Sequence, residues 1–347
     1  MFILSNNMNI DVNIKQRKNI FDKFQDNFDY TVLQKQKELG RGGQGKVYSY
    51  CRKNTEQDCV AVKKIYIEEQ QSKYLSDPFG KRSLLHSTFI ELASMKMINQ
   101  FVLSNVCPNF ILHYTWRFKS RSGICDDLYP NVAYFFNEYI SNSQTFTEWV
   151  KKELSQEELY NAYFQIIYAL YTLQLKLNMT HLDLHTDNII VQKVPKGGYW
   201  EYTIGENTYY VPNLGYIFYI NDFGHAWIPN VLKSWFIRQR YNPKRIKSHF
   251  DLMILYRSHL AELKRSFGEG HLNKTKKNFP KSFQKVLLSI IKSLRNGSIE
   301  DFPEIIKNVW LDKYKVTNNN SSIIDKFNIN NSINISEIPV ELRPLFK

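Results

Sequence analysis

Three polar side chains that could handle a metal ion or a proton lie at a defined spacing in the second half of the chain. Asp183 and Asn188 stand five positions apart in the run His-Leu-Asp-Leu-His-Thr-Asp-Asn at 181–188, and Asp222 opens an Asp-Phe-Gly triplet. A carboxylate and an amide on one loop can hold a nucleophile and a divalent cation, and a second carboxylate can complete the cation's shell. This spacing indicates phosphoryl transfer. Each motif alone recurs by chance, so the interpretation depends on further elements upstream.

A glycine-rich run at 39–47, Leu-Gly-Arg-Gly-Gly-Gln-Gly-Lys-Val, predicts a loop that approaches phosphate groups. Strand-like stretches flank it at 30–39 and 46–52. Because the β pattern continues after the last glycine, we predict a glycine hairpin and not the strand-to-helix turn of a dinucleotide-binding fold. Such glycines let backbone amides approach phosphate oxygens, although an ordinary glycine hairpin is a competing interpretation of the run alone. The residues of the G-x-G-x-x-G-x-V pattern are Gly40, Gly42, Gly45 and Val47.

A lysine and a glutamate could form an ion pair that holds phosphate. Alternating apolar residues in Val-Ala-Val-Lys at 60–63 predict a strand that directs Lys63 to one face. The stretch 82–101 is typical of a helix, and Glu91 is the only acid in it. We expect Glu91 to pair with Lys63, and we expect the acids at 68–69, which are nearer in sequence, to face solvent on a loop.

In this order and spacing, the motifs resemble the eukaryotic-type protein kinase family from about Leu39 to Asp251. The resemblance implies an α+β, bilobal fold, with a small antiparallel β-sheet lobe that carries one main helix and a larger, mainly helical lobe. The expected divisions of the chain are an N-terminal extension at 1–29, a small lobe at 30–140 with its hinge at 138–140, a large lobe at 141–315 with an insertion at 195–215, and an asparagine-rich C-terminal segment at 316–347.

The resemblance also implies a role for each motif residue. Asp183 would act as catalytic base, with Asn188 and Asp222 as ligands of Mg²⁺, and Asn137 would be the gatekeeper. Asp251 would brace the catalytic loop, although a simple helix cap explains it equally well. The other residues expected in catalysis or ATP binding are Gly40, Gly42, Gly45, Val47, Ala61, Lys63, Glu91, Glu138, Ile140 and His185.

Two residues of the catalytic loop depart from the family pattern. Leu182 replaces the usual arginine, so activation by phosphorylation of the following loop is disfavoured. His185 stands where serine/threonine kinases usually have a lysine, and an imidazole is a weaker contact for phosphate. The Asp-Leu-His-x-x-Asn pattern is also similar to haspin-like kinases and to aminoglycoside and choline kinases. A small-molecule acceptor therefore stays an alternative.

The segment after Asp222 is short and basic. Asp251 follows only 29 positions later, no Ala-Pro-Glu triplet closes the segment, and 223–250 contains no Asp or Glu. Such a run is commonly a solvated face. Beside a kinase cleft, we expect it to attract acidic or already phosphorylated substrates. Its basic residues are Lys233, Arg238, Arg240, Lys244, Arg245 and Lys247.

Composition is typical of an intracellular enzyme. The chain has 347 residues, of which 43% are hydrophobic, and no apparent signal peptide or membrane span. Cys51, Cys59, Cys107 and Cys125 lack metal-ligand spacing, so we expect reduced thiols and no zinc. A net charge of +13 makes nucleic acid conceivable, but no binding module is recognisable and we disfavour it.

Three function classes follow. An ATP- and Mg²⁺-dependent serine/threonine protein kinase ranks first, a small-molecule phosphotransferase second, and a nucleotide-binding pseudokinase scaffold third. The insertion at 195–215, which predicts an extra β-hairpin, the missing Ala-Pro-Glu and the asparagine-rich segments look similar to protein kinases of large nucleocytoplasmic DNA viruses. That similarity implies a host cytoplasm, viral factory or virion location. We expect 316–336 to form a flexible loop or tail.

Overall fold

A five-stranded antiparallel sheet forms the first part of the fold. Its strand order is β1-β2-β3-β5-β4, and hairpins connect the first three strands. The computed structural model describes residues 14–24, 28–42, 45–53, 58–120, 131–233, 249–267, 279–297, 301–314 and 322–346. The strands of this sheet are β1 (Leu33–Gly42), β2 (Gly45–Arg52), β3 (Cys59–Ile67), β4 (His113–Ser120) and β5 (Asn131–Glu138).

Three helices accompany the sheet. α1 (Ile14–Lys23) lies in the N-terminal extension, α2 (Glu69–Ser72) is a single turn, and α3 (Ser87–Leu103) is the long helix. Nearly every residue of α3 is buried, including Glu91. The apolar residues of α1 join the main hydrophobic core, so at least residues 14–24 of the extension pack on the domain.

The second lobe is mainly helical. Its longest helix begins after Ser155, whose hydroxyl accepts from the Glu158 N–H while the Glu158 carboxylate accepts from the Ser155 N–H, forming a capping box. Among the described residues, no helix combines the length and apolar character needed to cross a bilayer. The helices are α4 (Phe146–Trp149), α5 (Gln156–Leu177), α6 (His249–Phe267), α7 (Lys281–Asn296), α8 (Phe302–Ile306) and α9 (Asp312–Tyr314). The accompanying strands are β6 (Ser143–Thr145), β7 (Ile189–Lys193), β10 (Tyr216–Ile220), β11 (Trp227–Ile228) and β12 (Leu232–Lys233). The α+β, two-lobed fold expected from the sequence is confirmed.

The insertion between β7 and β10 forms the predicted hairpin, with β8 (Tyr199–Ile204) antiparallel to β9 (Asn207–Pro212). The expectation of a flexible loop or tail at 316–336 is wrong for its described part, residues 322–336. β13 (Ile323–Asn328) adds to the hairpin by pairing in parallel with β8. Backbone hydrogen bonds to another strand, and burial of Phe327 against the hairpin, order this polar segment.

The expectation of reduced thiols is wrong for two of the four cysteines. Cys51 and Cys59 form a disulfide, with their Cα atoms 4.1 Å apart. The cause is the register of the β2–β3 hairpin, which places these two residues directly opposite each other. Cys107 is a buried free thiol, and burial raises its pKa to about 12. Cys125 lies outside the described residues.

Candidate active site

Lys63 joins three elements of the site. Its Nζ lies 2.7 Å from Oε1 of Glu91 on α3 and 3.0 Å from Oδ1 of Asp222, which follows β10. The predicted pairing with Glu91 is therefore confirmed. Burial disfavours the ammonium ion, but the two carboxylates outweigh it and raise the pKa of Lys63. Lys63 therefore keeps its positive charge at the centre of the cleft.

The Glu91 side chain is buried, so its carboxylate has lost its contact with water. It is 1% exposed, and among the described residues its second oxygen, Oε2, accepts no hydrogen bond. Burial raises the pKa of this carboxyl to about 7, and the neighbouring Lys63 opposes that shift. Lys63 is thus the neighbour that favours the ionised form of Glu91.

Asp251 braces the catalytic loop. Its Oδ2 accepts from the N–H of His181 and its Oδ1 from the N–H of Leu182, both at 2.8 Å. Leu182 has a φ of 62°, a left-handed conformation that is unfavourable for a side chain of this kind. Asp251 lies within the first turn of α6 and not at the residue that caps the helix. Its two hydrogen bonds to the loop therefore confirm the bracing role and not that of a simple cap.

Two further contacts arrange the ends of the loop. The Nε2–H of His181 donates to the Asn221 carbonyl at 2.9 Å, which joins the loop to the residue before Asp222. The Nδ2 group of Asn188 donates to the Asp183 carbonyl at 2.8 Å. Because the amide nitrogen of Asn188 is engaged there, its Oδ1 is the atom left to act as a ligand.

His185 lies next to the residue predicted as catalytic base. Its Nε2 is 3.8 Å from Oδ2 of Asp183, and its Nδ1 is 3.9 Å from a carboxylate oxygen of Asp187. These distances are too long for hydrogen bonds, and Nδ1 of His185 instead accepts from the Asp187 N–H at 3.3 Å. The structure brings His185 to the site, and its contact with phosphate stays a prediction.

The glycine loop has the predicted hairpin form, with residues 43–44 outside the described residues. A Cβ atom on Gly45 would lie 2.1 Å from the Lys64 carbonyl oxygen, so only glycine fits there. Among the residues that the structure describes, a Cβ on Gly40 or Gly42 would meet nothing within 4 Å. Val47 pairs directly with Lys63, the lysine predicted to bind phosphate, across the β2–β3 ladder.

The remaining residues predicted to bind ATP are Ala61 on β3, Glu138 at the end of β5 and Ile140 just beyond that strand. Ala61 pairs with Asn137, and the Nδ1–H of His113 donates to Oδ1 of the buried Asn137 side chain at 2.8 Å. The Glu138 carboxylate points away from the cleft toward Arg17, so only its backbone is available to a nucleotide. The Ile140 carbonyl accepts from the Ser143 hydroxyl at 2.7 Å.

Arg17 is a contact that the sequence interpretation missed. A signal was present, since Ile14, Arg17 and Phe21 recur at helical spacing and are all buried on one face of α1. An arginine on an apolar stripe predicts a buried acidic partner. The partner itself, Glu138, could not be read from the sequence because 120 residues separate them.

The residues predicted as metal ligands fit Mg²⁺. The Asp222 side chain is 36% exposed beside Lys63, and Asn188 offers its Oδ1. Among the residues that the structure describes, no three His, Cys, Asp or Glu side chains gather closely enough to hold a metal ion. Mg²⁺ typically uses one or two protein ligands together with substrate phosphates and water, so two donors suffice.

Most of the basic run beyond the site lies outside the described residues. Lys233 belongs to β12, and the positions of Arg238, Arg240, Lys244, Arg245 and Lys247 fall within 234–248, which the structure does not describe. The expected attraction of acidic substrates therefore stays a prediction.

The ion pair, the braced loop and the lobes around them define a protein kinase domain. The family model of the protein kinase domain matches residues 33–230, and the chain belongs to that family. It is similar to two viral proteins. The probable serine/threonine-protein kinase 380R of Invertebrate iridescent virus 6 is 24% identical over 42% of this chain and 29% of the relative. The putative serine/threonine-protein kinase 019R of Frog virus 3 (isolate Goorha) is 30% identical over 30% of this chain and 13% of the relative. The chain thus matches under a third of either relative's length.

Proposed function

We propose that the chain is an ATP- and Mg²⁺-dependent serine/threonine protein kinase that transfers the γ-phosphate of ATP to a protein hydroxyl. The observation that carries the proposal is the position of Lys63, which contacts Glu91 and Asp222 at once. In support of the proposal, Lys63 pairs with Val47 of the glycine-rich hairpin and contacts Asp222, one of the proposed metal ligands. A phosphate chain bound beside Lys63 would therefore be near both the hairpin and a ligand of the metal that phosphoryl transfer uses.

Positioning and charge neutralisation account for most of the proposed catalysis. Asp183, whose side chain is 43% exposed, would orient the acceptor hydroxyl and take its proton. Asp251 would hold the loop so that this carboxylate faces the acceptor. Lys63 would bind the α- and β-phosphates, with Glu91 preventing it from turning away.

Asn188 and Asp222 would hold the metal ion. When bound, Mg²⁺ would neutralise negative charge on the phosphate oxygens. Lys63 also contacts Asp222, so the carboxylate is oriented before any ion arrives. The Asn188–Asp183 hydrogen bond likewise orients the second ligand and couples it to the backbone of the proposed base.

The finer parts of the proposal rest on the sequence and on the relatives. Specificity for serine or threonine follows the names of the two viral kinases. An acidic or phosphorylated protein substrate follows the basic run, and the haspin-like character of the loop follows Leu184 and His185. On the same grounds, we propose that the chain divides into an extension, two lobes, an insertion and a C-terminal segment. We also propose that it acts inside the cell.

Transfer of labelled phosphate tests the proposal. The chain is incubated with γ-labelled ATP and Mg²⁺, and with mixed proteins, aminoglycosides and choline. We expect label on protein serine or threonine, located by mass spectrometry. Label in a small molecule would replace the proposal with the phosphotransferase alternative, and ATP binding without any transfer would indicate a pseudokinase.

Asp183→Ala supplies the control for the assigned base. We expect it to abolish transfer and to leave the dissociation constant for ATP within about threefold, because Asp183 is not assigned to nucleotide binding. Transfer at the rate of the unsubstituted chain would refute the assignment of Asp183 as base.

A further inference from the structure

The guanidinium group of Arg17 is buried next to the hinge, where it donates hydrogen bonds to carboxylate and carbonyl oxygens. Its Nε and Nη2 donate to the two oxygens of the Glu138 carboxylate, each at 2.7 Å, in a bidentate pair. Its Nη1 donates to the Pro108 carbonyl at 2.7 Å, and Nη2 also donates to the Phe110 carbonyl. The Arg17 side chain is 4% exposed. One side chain therefore ties α1 to the end of β5 and to the segment between α3 and β4.

Glu138 is the point at which this contact reaches the nucleotide site. Its carboxylate accepts from the Leu112 N–H at 3.1 Å, and its own N–H donates to the Leu112 carbonyl at 2.8 Å. Across the sheet, Glu138 pairs with Val60 at the start of the Val-Ala-Val-Lys strand. The Glu138 carboxylate is thus engaged by Arg17 and the Leu112 N–H, and its backbone leads through Tyr139 to Ile140.

Other contacts hold α1 in place independently of Arg17. The N–H of Ile14, at the first turn of α1, donates to Asp325 of β13 at 2.9 Å. Phe21 and Phe24 pack on Tyr114 of β4, with ring centroids 6.1 and 5.4 Å away. A change at Arg17 can therefore disturb the hinge while the helix stays docked.

The C-terminal segment supports the same region from the opposite end of the chain. The Nδ2 of Asn331 donates to the Ser104 carbonyl at 2.9 Å, and the N–H of Asn328 donates to the Asn105 carbonyl at 2.9 Å. The Nζ of Lys18, on α1, donates to the Asn105 side chain at 2.7 Å. The two chain ends thus meet on the outer side of the segment that follows α3.

We propose that Arg17 is a positioning residue for nucleotide binding, which holds the hinge backbone at Glu138 and Ile140 in the geometry that receives adenine. This inference rests on the proposed function. A planar guanidinium makes a bidentate pair that a lysine cannot reproduce, so the geometry of the hinge depends on arginine itself and not only on its charge. The rotamer of Glu138 is defined by Arg17 on one side and by Leu112 on the other.

The test compares Arg17→Lys and Arg17→Met in the full chain. Arg17→Lys keeps a buried cation beside Glu138 but loses the bidentate hydrogen bonds of the guanidinium. Arg17→Met leaves the Glu138 carboxylate without a cation, so this variant is more prone to misfold. For each variant the thermal unfolding midpoint is measured first. The dissociation constant for ATP, the KM for ATP, the KM for the protein acceptor and kcat are then measured well below that midpoint.

We expect Arg17→Lys to raise the dissociation constant and the KM for ATP by about tenfold, a change equivalent to about 1.4 kcal/mol. The KM for the acceptor and kcat should stay within about twofold. The matched control is Lys23→Ala on the same helix, which removes an ion pair with Asp58 that does not touch the hinge. Its ATP parameters should equal those of the unsubstituted chain.

Three outcomes would overturn the inference. A lower unfolding midpoint in Arg17→Lys with an unchanged dissociation constant for ATP would show a purely structural role. Equal increases in the KM values for ATP and acceptor would show a general loss of the site. If the unsubstituted chain binds no ATP, both the proposed function and this inference are refuted. That result is distinguishable from the other two because it is seen before any residue is substituted.

Discussion

The brace between Asp251 and the catalytic loop gives a prediction whose size can be worked from the structure. Asp251→Asn keeps the shape of the side chain but replaces one oxygen by an amide nitrogen, which is a donor and cannot accept from the facing N–H. One hydrogen bond to a charged group is lost and one buried N–H is left unsatisfied, a cost of about 2–3 kcal/mol. The left-handed Leu182, at a φ of 62°, is where the loop would relax.

If displacement of Asp183 raises the activation free energy of transfer by about 2 kcal/mol of this cost, kcat should drop by roughly thirtyfold. The dissociation constant for ATP should change by less than about threefold, because Lys63 is bound by Glu91 and Asp222 and not by Asp251. Steady-state kinetics at saturating ATP and calorimetric titration of ATP measure the two quantities.

Glu262→Gln is the matched control, because Glu262 is an acid on the same helix whose contacts are with Lys151, Arg265 and Ser266. We expect its kcat to stay within about twofold of the unsubstituted chain. A kcat for Asp251→Asn that is also within twofold would refute the bracing argument. Equal losses of kcat and ATP affinity would point instead to unfolding.

Three further predictions concern other buried groups. Glu91→Gln keeps a hydrogen bond to Lys63 but removes the charge, so calorimetry should show a roughly tenfold weaker ATP complex, and unchanged affinity would contradict the role of the pair. Burial lowers the pKa of His259 to about 3, below its unfolded value of about 6.5, so stability that is fully present above pH 6.5 is lost as the pH falls toward 3. Denaturant unfolding at pH 5 should give a free energy about 2 kcal/mol lower than at pH 8 from this group, and His259→Phe should lack that contribution; identical pH slopes for the two proteins would refute the argument. Leu182→Arg would bury a guanidinium at a position that is 2% exposed, so the unfolding midpoint should fall, and a midpoint equal to that of the unsubstituted chain would count against a packing role for Leu182.

The sequence predicted the chemistry of the site more completely than its surroundings. The glycine hairpin, the lysine strand and the glutamate helix follow from local patterns, because alternation, helical spacing and glycine content act over a few residues. These patterns named Lys63 and Glu91, and the structure confirms their ion pair. The hairpin at 195–215 was likewise predicted from local turn and aromatic signals, and the structure has it as β8 and β9.

The wrong predictions concern contacts between segments that are distant in sequence or that lie opposite each other in a hairpin. The disulfide between Cys51 and Cys59 depends on strand register, which sequence spacing alone does not give. The first part of the C-terminal segment is rich in asparagine and serine, a composition that favours disorder. It is ordered because β8 offers an open strand edge, and only the folded chain brings that edge to it.

By itself, the sequence predicted which residues carry the proposed chemistry, since Lys63, Asp183, Asn188 and Asp222 were named from their motifs and from the resemblance to protein kinases. Tertiary structure decided which groups hold them in position. Asp251 is about seventy positions from the N–H groups it binds, and Arg17 is more than a hundred from Glu138. Partners at such separations meet only when the packing of helices and strands has closed the chain between them, and buried charges then select whichever partner the fold brings within reach.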